Sequence, residues 1–444
     1  MDIYIPDNIE KIIELLESGG FEAYIVGGCV RDSILGKTPK DYDITTSASP
    51  DDVKECLKGY HVIDTGLKHG TVTVVTGDDY VEVTTFRIDG DYSDHRRPDS
   101  VVFSDRLTDD LSRRDFTINA MAYNHRTGVI DEFGGQKDLF RQKIRCVGEP
   151  AVRFNEDALR IMRALRFASE LNFEIDRLTS TAIHDMRRLL DNISPERHCK
   201  ELMGIVCGTA PSTVLTEYAD IIASVIPEIR PCIGFNQHSR YHIYDVWTHT
   251  AVAVENSPNV PEVRMALLLH DIAKPDCCRY DEEGSGHFPG HEKAGAEKAE
   301  GILRRLRCSN DFVECVCALI KYHYIAPVDD RIVVKQLLSK VGTENFFRLT
   351  GLMRGDSRAK QSFCFERVQV LEAMDKKAHE IIDSKECINV SQLMVNGSDI
   401  AALGAQGKQI GDILNRLLTD VIEERYDNEK NTLLNAARGM LVNK

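Results

Sequence analysis

"AYIVGGCVRDSILGKTPKDYDITT", Ala23 to Thr46, is the stretch that decides the fold. Ala23–Val26 is a short apolar run of strand length that stops at Gly27-Gly28. "VRDSILG" then carries a helix, stopped by Gly36. "KDYDITT" returns to a strand, with acids at alternate positions. Residues two apart in a strand face the same side, so Asp41 and Asp43 are expected together on one face of a sheet. Carboxylates held so close repel each other unless a cation lies between them. Mg²⁺ suits that place, because it takes oxygen ligands and keeps substrate phosphates in its shell. The glycine turn feeding a helix offers backbone N–H groups to a phosphate, and Arg31 adds a forked donor. Together these residues fit phosphoryl transfer from a nucleoside triphosphate, with metals stabilising the attacking and leaving oxygens. The P-loop pattern GxxxxGK[ST] is absent.

Working outward, "SPDDVKECL" opens a helix with Ser49 as its cap and Pro50 in the first turn. "TVTVVTGDDYVEVTTFR" holds two β-branched runs around a turn at Gly77, a hairpin signal that puts Glu82 in a strand as a third carboxylate. Residues up to about 145 read as a small α/β unit with a mixed sheet. After Pro150 the texture becomes helical. In "NEDALRIMRALRFASELNFEID", Leu159, Met162, Leu165 and Phe167 recur at helical spacing. That periodicity places Asp157 and Arg160 on one helix face, with Arg163 and Arg166 further along.

A chain of 444 residues requires several domains. Its net charge of −15 argues against holding nucleic acid by bulk attraction. Residues 141–200 reverse that balance locally, with 12 Lys/Arg against 9 Asp/Glu. The 13 cysteines form no CxxC pair, which points to free thiols in a reducing cytoplasm. No apolar run approaches the ~18 residues of a membrane span.

Four stretches together resemble one family. "GGCVRDSILGKTPKDYDITTSASP" is similar to the catalytic motif of the class II tRNA nucleotidyltransferase and poly(A) polymerase superfamily. "RRDFTINAMAYN", Arg113 to Asn124, resembles its second motif, and "EDALRIMRALRFA" its nucleotide-selecting motif. "ISPERHCKEL" resembles the motif that braces the helical neck. The resemblance implies that Asp41 and Asp43 hold Mg²⁺, with Glu82 as a third acid. It implies that Gly27, Gly28 and Arg31 contact the triphosphate and that Arg114 and Asp115 meet ribose and phosphate. Arg113 is left between phosphate contact and surface, and Asn119 is expected to fix the local backbone. Asp157 and Arg160 would template C and then A by their acceptors and donors, with Arg163 and Arg166 serving phosphate or tRNA. "FRIDGDYSDHRRPDSVVFSDRL", Phe86 to Leu107, resembles the flexible loop that members adding all of CCA use when switching from C to A.

The helical half carries a second constellation. "LLLHDIAKP" places His270 beside Asp271. Neighbours in a helix point to different faces, so a site using both needs a helix end, which Ile272 to Pro275 could supply. His249 lies upstream in "DVWTHT". His287 and His291 follow in "GHFPGHEKAG", His323 in "LIKYHY" and Asp356 in "LMRGDSRA". Imidazoles with carboxylates suit a divalent transition metal that activates water. The order is similar to the H…HD…D pattern of HD phosphohydrolases. That resemblance implies His249, His270, Asp271 and Asp356 as ligands, with His291 and His323 as the extra histidines of two-metal members.

The expected architecture is α+β and multidomain. A nucleotidyltransferase head with a mixed β-sheet spans 1–148 and a helical neck spans 149–228. A helical HD domain spans 229–370 and a helical tail 371–444. The expected activity is CCA addition to the tRNA 3′ end from CTP and ATP, in the cytoplasm and without a membrane partner. A poly(A) or A-adding enzyme of the same superfamily, a metal-dependent nucleotide phosphohydrolase and an RNA-binding module are the alternatives. The nearly balanced C-terminus, "NEKNTLLNAARGMLVNK", weighs against the poly(A) reading.

Overall fold

The computed structural model describes residues 3–77, 79–90, 92 and 98–442. Residues 91 and 93–97 of the expected flexible loop lie outside that set. The chain divides into two compact units, Met1–Pro227 and Glu228–Lys444.

In the first unit, α1 (Asp7–Ser18) buries Ile9, Ile12, Ile13 and Leu16 at helical spacing. Then come β1 (Ala23–Val26), α2 (Gly28–Ile34), β2 (Asp43–Thr46) and α3 (Pro50–Cys56). The cap of α3 is reciprocal: Ser49 accepts from Asp52 N, and the Asp52 side chain accepts from Ser49 N. β3 (His61–Gly66), β4 (Thr71–Thr76) and β5 (Asp79–Thr85) follow, then a small ribbon of β6 (Arg87–Asp89) and β7 (Val101–Phe103). After α4 (Leu107–Ser112) come β8 (Ala122–Asn124), β9 (Gly128–Ile130) and α5 (Gly135–Phe140).

Seven strands form one mixed sheet in the order β3-β4-β5-β2-β1-β8-β9. The β2–β5 pair is parallel and the other pairs antiparallel. Register puts Asp43 opposite Glu82 and Ile44 opposite Val83. Val81, Val83 and Ile44 are buried, so pleat alternation sends Glu82 and Asp43 to the other face.

One local expectation changes here. β2 begins at Asp43, so Asp41 lies in the segment before the strand. The last rung of β1 pairs Val26 with Asp43, and Gly27 then turns away at φ 83°. Asp41 therefore has no rung on β1 to join.

The helices that follow the head are α6 (Pro150–Glu156), α7 (Leu159–Leu171), α8 (Arg177–Asp185), α9 (Pro195–Val206), α10 (Pro211–Glu217) and α11 (Ala219–Val225). The expected continuous helix through Asp157 is in fact two. Asp157 is extended, at φ −134° and ψ 104°, and its Oδ1 accepts from Leu159 N at 3.1 Å, starting α7 afresh.

The second unit is helical. It runs α12 (Val246–Glu255), α13 (Pro261–Leu269), α14 (Lys274–Cys277), α15 (His291–Arg305), α16 (Asn310–Tyr322), α17 (Arg331–Val341) and α18 (Thr343–Arg358). It closes with α19 (Glu366–Asp383), α20 (Gly397–Ala402), α21 (Lys408–Ile422) and α22 (Lys430–Val442). The end of α13 at Leu269 supplies the helix terminus that His270-Asp271 requires. Among the described residues no helix is long and apolar enough to cross a membrane. The α+β class, with a mixed-sheet head and helices after it, is as the sequence led one to expect.

Candidate active site and candidate metal centre

A cavity of about 430 Å³ opens at the C-terminal end of β1, where Gly27, Arg31 and Asp43 meet Arg114, Arg160 and Arg163. Gly27 is needed for two reasons. Its φ is positive, and a Cβ there would come 3.1 Å from Arg114 Nη1.

Arg113 and Arg114 are anchored by Asp110, a buried residue of α4. Asp110 Oδ1 accepts from Arg113 at 2.9 and 2.6 Å, and Oδ2 accepts from Arg114 Nη2 at 3.2 Å and Thr45 Oγ1 at 3.1 Å. Burial alone would raise the Asp110 pKa, but the two guanidiniums outweigh it and hold the carboxyl below its ordinary value. Arg114 keeps a buried Nε without a hydrogen-bond partner among the described residues.

Asp115 is enclosed. Its Oδ1 accepts from Phe116 N at 2.8 Å and Asn119 Nδ2 at 3.1 Å, and its Oδ2 accepts from Arg163 at 2.8 and 2.5 Å. Burial opposes ionisation, yet Arg163 and Arg160 pull the pKa down to about 2. Asn119 Oδ1 also accepts from Arg31 Nη1 at 2.8 Å. Asn119 thus ties two side chains together, where the sequence led one to expect a backbone role.

On the far wall, Asp157 pairs with Arg197 Nη2 at 3.2 Å. Arg160 donates to Glu156 Oε2 at 2.7 Å, Arg153 O at 3.2 Å and Arg113 O at 2.8 Å. Asp157 and Arg160 line one cavity without bonding each other through their side chains. The Phe167 ring carries guanidiniums of Arg31, Arg163 and Arg166 at 5.1, 5.2 and 4.3 Å from its centroid. Arg166 itself turns to Glu201 and Glu170, at 2.6 and 2.8 Å, and does not line the cavity.

Asp43 lies at the cavity floor. Desolvation raises its pKa; Arg114 opposes this, and Glu82 and Asp41 raise it further. Glu82 and Asp41 thus act on the Asp43 carboxylate, as acids around a cation site would. Among the described residues, only in the second unit do three or more His, Cys, Asp or Glu side chains bring their possible ligand atoms within 4.8 Å of one another.

Those groups are His249, His270 and Asp271, and Asp271, His291 and His323, all buried. Asp356, from α18, joins them, with His249 Nε2 3.1 Å from its Oδ1. The four imidazoles are oriented in one way. Nδ1 of His249, His270, His291 and His323 faces the backbone oxygens of Ala359, Leu267, Phe288 and Ile320, at 3.2, 2.7, 2.7 and 2.6 Å. Each ring thus turns its Nε2 inward, the atom a metal needs; burial opposes charge on His270, but Asp271 and Asp356 outweigh it and raise that ring's pKa to about 9, so a metal would displace its proton. His270 Nε2 lies 3.1 Å from Asp271 Oδ2, yet neither atom finds a well-formed hydrogen bond.

Lys274 and Lys360 ammoniums stand 2.6 Å from Asp271 and Asp356. Burial would raise both acids; His270 and Lys274 at Asp271, and Lys360 at Asp356, more than offset it and hold them well below the ordinary range. Burial depresses His323, aided by His270, to about 3, keeping the ring neutral. The donor set fits a divalent metal.

Comparison with known proteins follows these two sites. Residues 23–145 match the Poly A polymerase head domain, and 172–231 the "Probable RNA and SrmB- binding site of polymerase A". Residues 240–341 match the HD domain, and 292–437 tRNA nucleotidyltransferase domain 2. A CCA-adding enzyme of Pediococcus pentosaceus is 32% identical over 433 residues, 97% of each chain. The chain belongs to the CCA-adding enzyme family.

A CCA-adding enzyme of Lactobacillus helveticus is 51% identical over 206 residues, 45% of this chain and 51% of that one. The Bacillus stearothermophilus CCA-adding enzyme, solved in complex with CTP, superposes with a TM-score of 0.74 at 28% identity and 99% coverage of both chains.

For a CCA-adding enzyme the cavity gathers Gly27, Gly28, Arg31, Asp43, Arg114, Asp115, Asp157, Arg160 and Arg163 from the residues singled out in sequence. Asp41, Glu82 and Arg166 fall outside its lining. His249, His270, Asp271, His291, His323 and Asp356 converge in the second unit, although the HD match stops before Asp356. His287 lines the cavity above the centre but is exposed, paired with Asp281 at 2.7 Å, and is not among the clustered ligands. Sequence reasoning missed Asp110, Phe167, Arg197, Lys274 and Lys360. Asp110 had a signal, since it stands three and four residues before Arg113 and Arg114 on a helix. Arg197 lies within the quoted motif "ISPERHCKEL", but nothing in sequence tied it to Asp157, 40 residues away.

Proposed function

We propose that this chain adds C, C and A to the 3′ end of tRNA from CTP and ATP, releasing pyrophosphate at each step. The observation that carries this reading is the cavity in which Asp43, beside Glu82 in register, faces Arg114, Asp157 and Arg160. Asp41 and Asp43, with Glu82 as a third acid, are the residues to hold Mg²⁺. Bound there, Mg²⁺ supplies charge neutralisation on the triphosphate and lowers the pKa of the attacking hydroxyl. In this reading the tRNA 3′-hydroxyl attacks the α-phosphate in line, and pyrophosphate leaves.

The glycine turn lets backbone N–H groups approach the triphosphate, and the spare Nε of Arg114 is a free donor there. Asp157 offers acceptors and Arg160 donors to a base edge. Asp115 acts by holding Arg163 and Asn119 in place. The 13 cysteines are all free, in keeping with a reducing cytoplasm.

The test is tRNA lacking its 3′ end, incubated with CTP, ATP or both, and sized at single-nucleotide resolution. CTP alone should give two added residues and both nucleotides three. A long A tract, or A added to the bare end, would refute the reading.

The second unit favours a second activity. Inward Nε2 atoms from four histidines with Asp271 and Asp356 make a transition-metal phosphohydrolase centre the reading that fits them. Purified protein should carry a divalent metal and release phosphate from esters, and Asp271→Ala should lose both.

A further inference from the structure

Asp110 is wholly buried, and the transfer chemistry above gives it no part. It stands on α4 three and four residues before Arg113 and Arg114, and both of its oxygens are taken by them and by Thr45. A carboxylate so committed is not open to a metal.

Its seat is the catalytic face of the sheet. Thr45 lies two residues after Asp43 on β2, so the two share a face. Glu82 and Thr84 repeat that spacing on β5, in register with them. Thr45 Oγ1 is 3.1 Å from Asp110 Oδ2 and 3.2 Å from Thr84 O. Asp110 is thereby fixed against the same face that carries Asp43 and Glu82.

Arg114 spans the gap between them. Its Nη2 is 3.2 Å from Asp110, its Nη1 lies against the Gly27 turn, and its Nε is buried without a hydrogen-bond partner among the described residues. Its charge already acts on Asp43, against the effect of desolvation. Yet Asp110 is the one acid paired with it among the described residues. Arg113 differs, with Asp89 as a second acid at 3.7 Å. Loss of the Asp110 charge would leave Arg114 unpaired, and a buried ion without its partner is costly enough to seek another. Of the other acids lining the cavity, Asp115 is taken by Arg163 and Asp157 by Arg197, which leaves Asp43.

We propose that Asp110 is a positioning residue of nucleotidyl transfer: it holds the Arg114 guanidinium toward the triphosphate and off Asp43, so that Asp43 stays open to Mg²⁺. This rests on the transfer reading above. No bond is made or broken at Asp110.

The test measures metal before activity. Asp271→Ala removes the ligand shared by both groups of the second centre, so Mn²⁺ bound by that parent chain, read by electron paramagnetic resonance, reports the head. Adding Asp110→Asn should weaken Mn²⁺ binding about ten-fold, because an Arg114–Asp43 ion pair must first be broken. Adding Arg114→Gln as well should restore it. An acid that merely attracted the metal by its own charge would show no such recovery. Unchanged binding in Asp110→Asn, or no recovery in the double variant, overturns the proposal.

With the second centre intact, Asp110→Asn should raise the Mg²⁺ needed for half-maximal CTP incorporation by the same factor, and lower the rate at saturating Mg²⁺ less. A lower rate with an unmoved Mg²⁺ dependence would leave Asp110 a structural role alone and overturns the proposal too. Should Asp110→Asn not fold, Arg114→Gln in the parent chain decides. Mn²⁺ affinity within about two-fold of the parent agrees with a guanidinium held off Asp43, and a larger change overturns it. A parent head that binds no Mn²⁺ overturns both readings. One that binds Mn²⁺ in a chain adding no nucleotide sinks the transfer reading, and the Mn²⁺ comparison still judges whether Asp110 keeps Arg114 off Asp43.

Discussion

One oxygen of Asp115 holds the Arg163 guanidinium, at 2.8 Å from Nε and 2.5 Å from Nη2. The other oxygen is taken by Phe116 N and Asn119. A residue expected to read ribose is thereby committed to the protein, and its removal should act on shape before chemistry. Its pKa in the fold, about 2, lies below the free value, so its ionisation stabilises the fold above about pH 4 and that stabilisation is lost as pH falls through 2. Asp115→Asn should cost about 2 kcal/mol near neutrality by this linkage. Urea melts of both chains at pH 7 check it, and an unchanged midpoint refutes it.

Asp43 has the opposite sign. Desolvation, Glu82 and Asp41 raise its pKa, so its charge opposes folding above that pKa and ceases to do so as pH falls to the ordinary carboxylate value near 3.9. Asp43→Asn should raise the metal-free melting temperature at pH 7.5 while lowering CTP incorporation by at least about a hundred-fold. Glu82→Gln should give a smaller loss of activity. A destabilised Asp43→Asn would refute the claim of mutual repulsion.

Gly27→Ala should be worse than Gly28→Ala. The first forces an L side chain to φ 83° and ψ −127° and presses on Arg114, a strain of about 1–3 kcal/mol. At Gly28 the nearest atom to a new Cβ is Arg31 Nη2 at 3.7 Å. The kcat/KM for CTP, measured on both variants with their melting curves, separates the two.

Arg197 is expected to govern choice through Asp157. Arg197→Ala leaves the Asp157 side chain, among the described residues, with its hydrogen bond from Leu159 N alone. Discrimination of CTP over UTP should fall about ten-fold, equivalent to 1.4 kcal/mol, with CTP incorporation reduced less. Competition with both nucleotides measures it, and an unaltered ratio would show that Arg197 only supports the fold.

Chelation should destabilise the second unit. Ligands bound only by the native state stabilise it by mass action. Dialysis against a strong chelator should lower its calorimetric transition, and in Asp271→Ala the chelator should have no effect.

The contrast between β1–α2 and the nucleotide-selecting motif explains what was legible in sequence. Ala23–Val26, Gly27 and Gly36 each carry a local signal, a β-branched run or a turn residue, and local signals survive folding. Where β2 begins is a tertiary fact, fixed by the last rung of β1, so Asp41 was placed on a strand it does not join. The break at Asp157 hid within helical periodicity, although an aspartate before an apolar run is also a cap signal. In the second unit the order of histidines showed the cluster. Lys274 and Lys360 carried the same spacing signal as Asp110, three and four residues after Asp271 and Asp356, but that spacing is common on any helix and did not single them out.

Phe167 carries three arginines on one ring. Two belong to its own helix and one to α2, so the ring links α2 to α7 and a change in any of these guanidiniums alters the seating of the others. Replacements at Arg31, Arg163 and Arg166 should then be epistatic, their paired effects departing from the sum of the single ones. A lineage drifting at one of these positions would find its tolerated substitutions at the other two already changed.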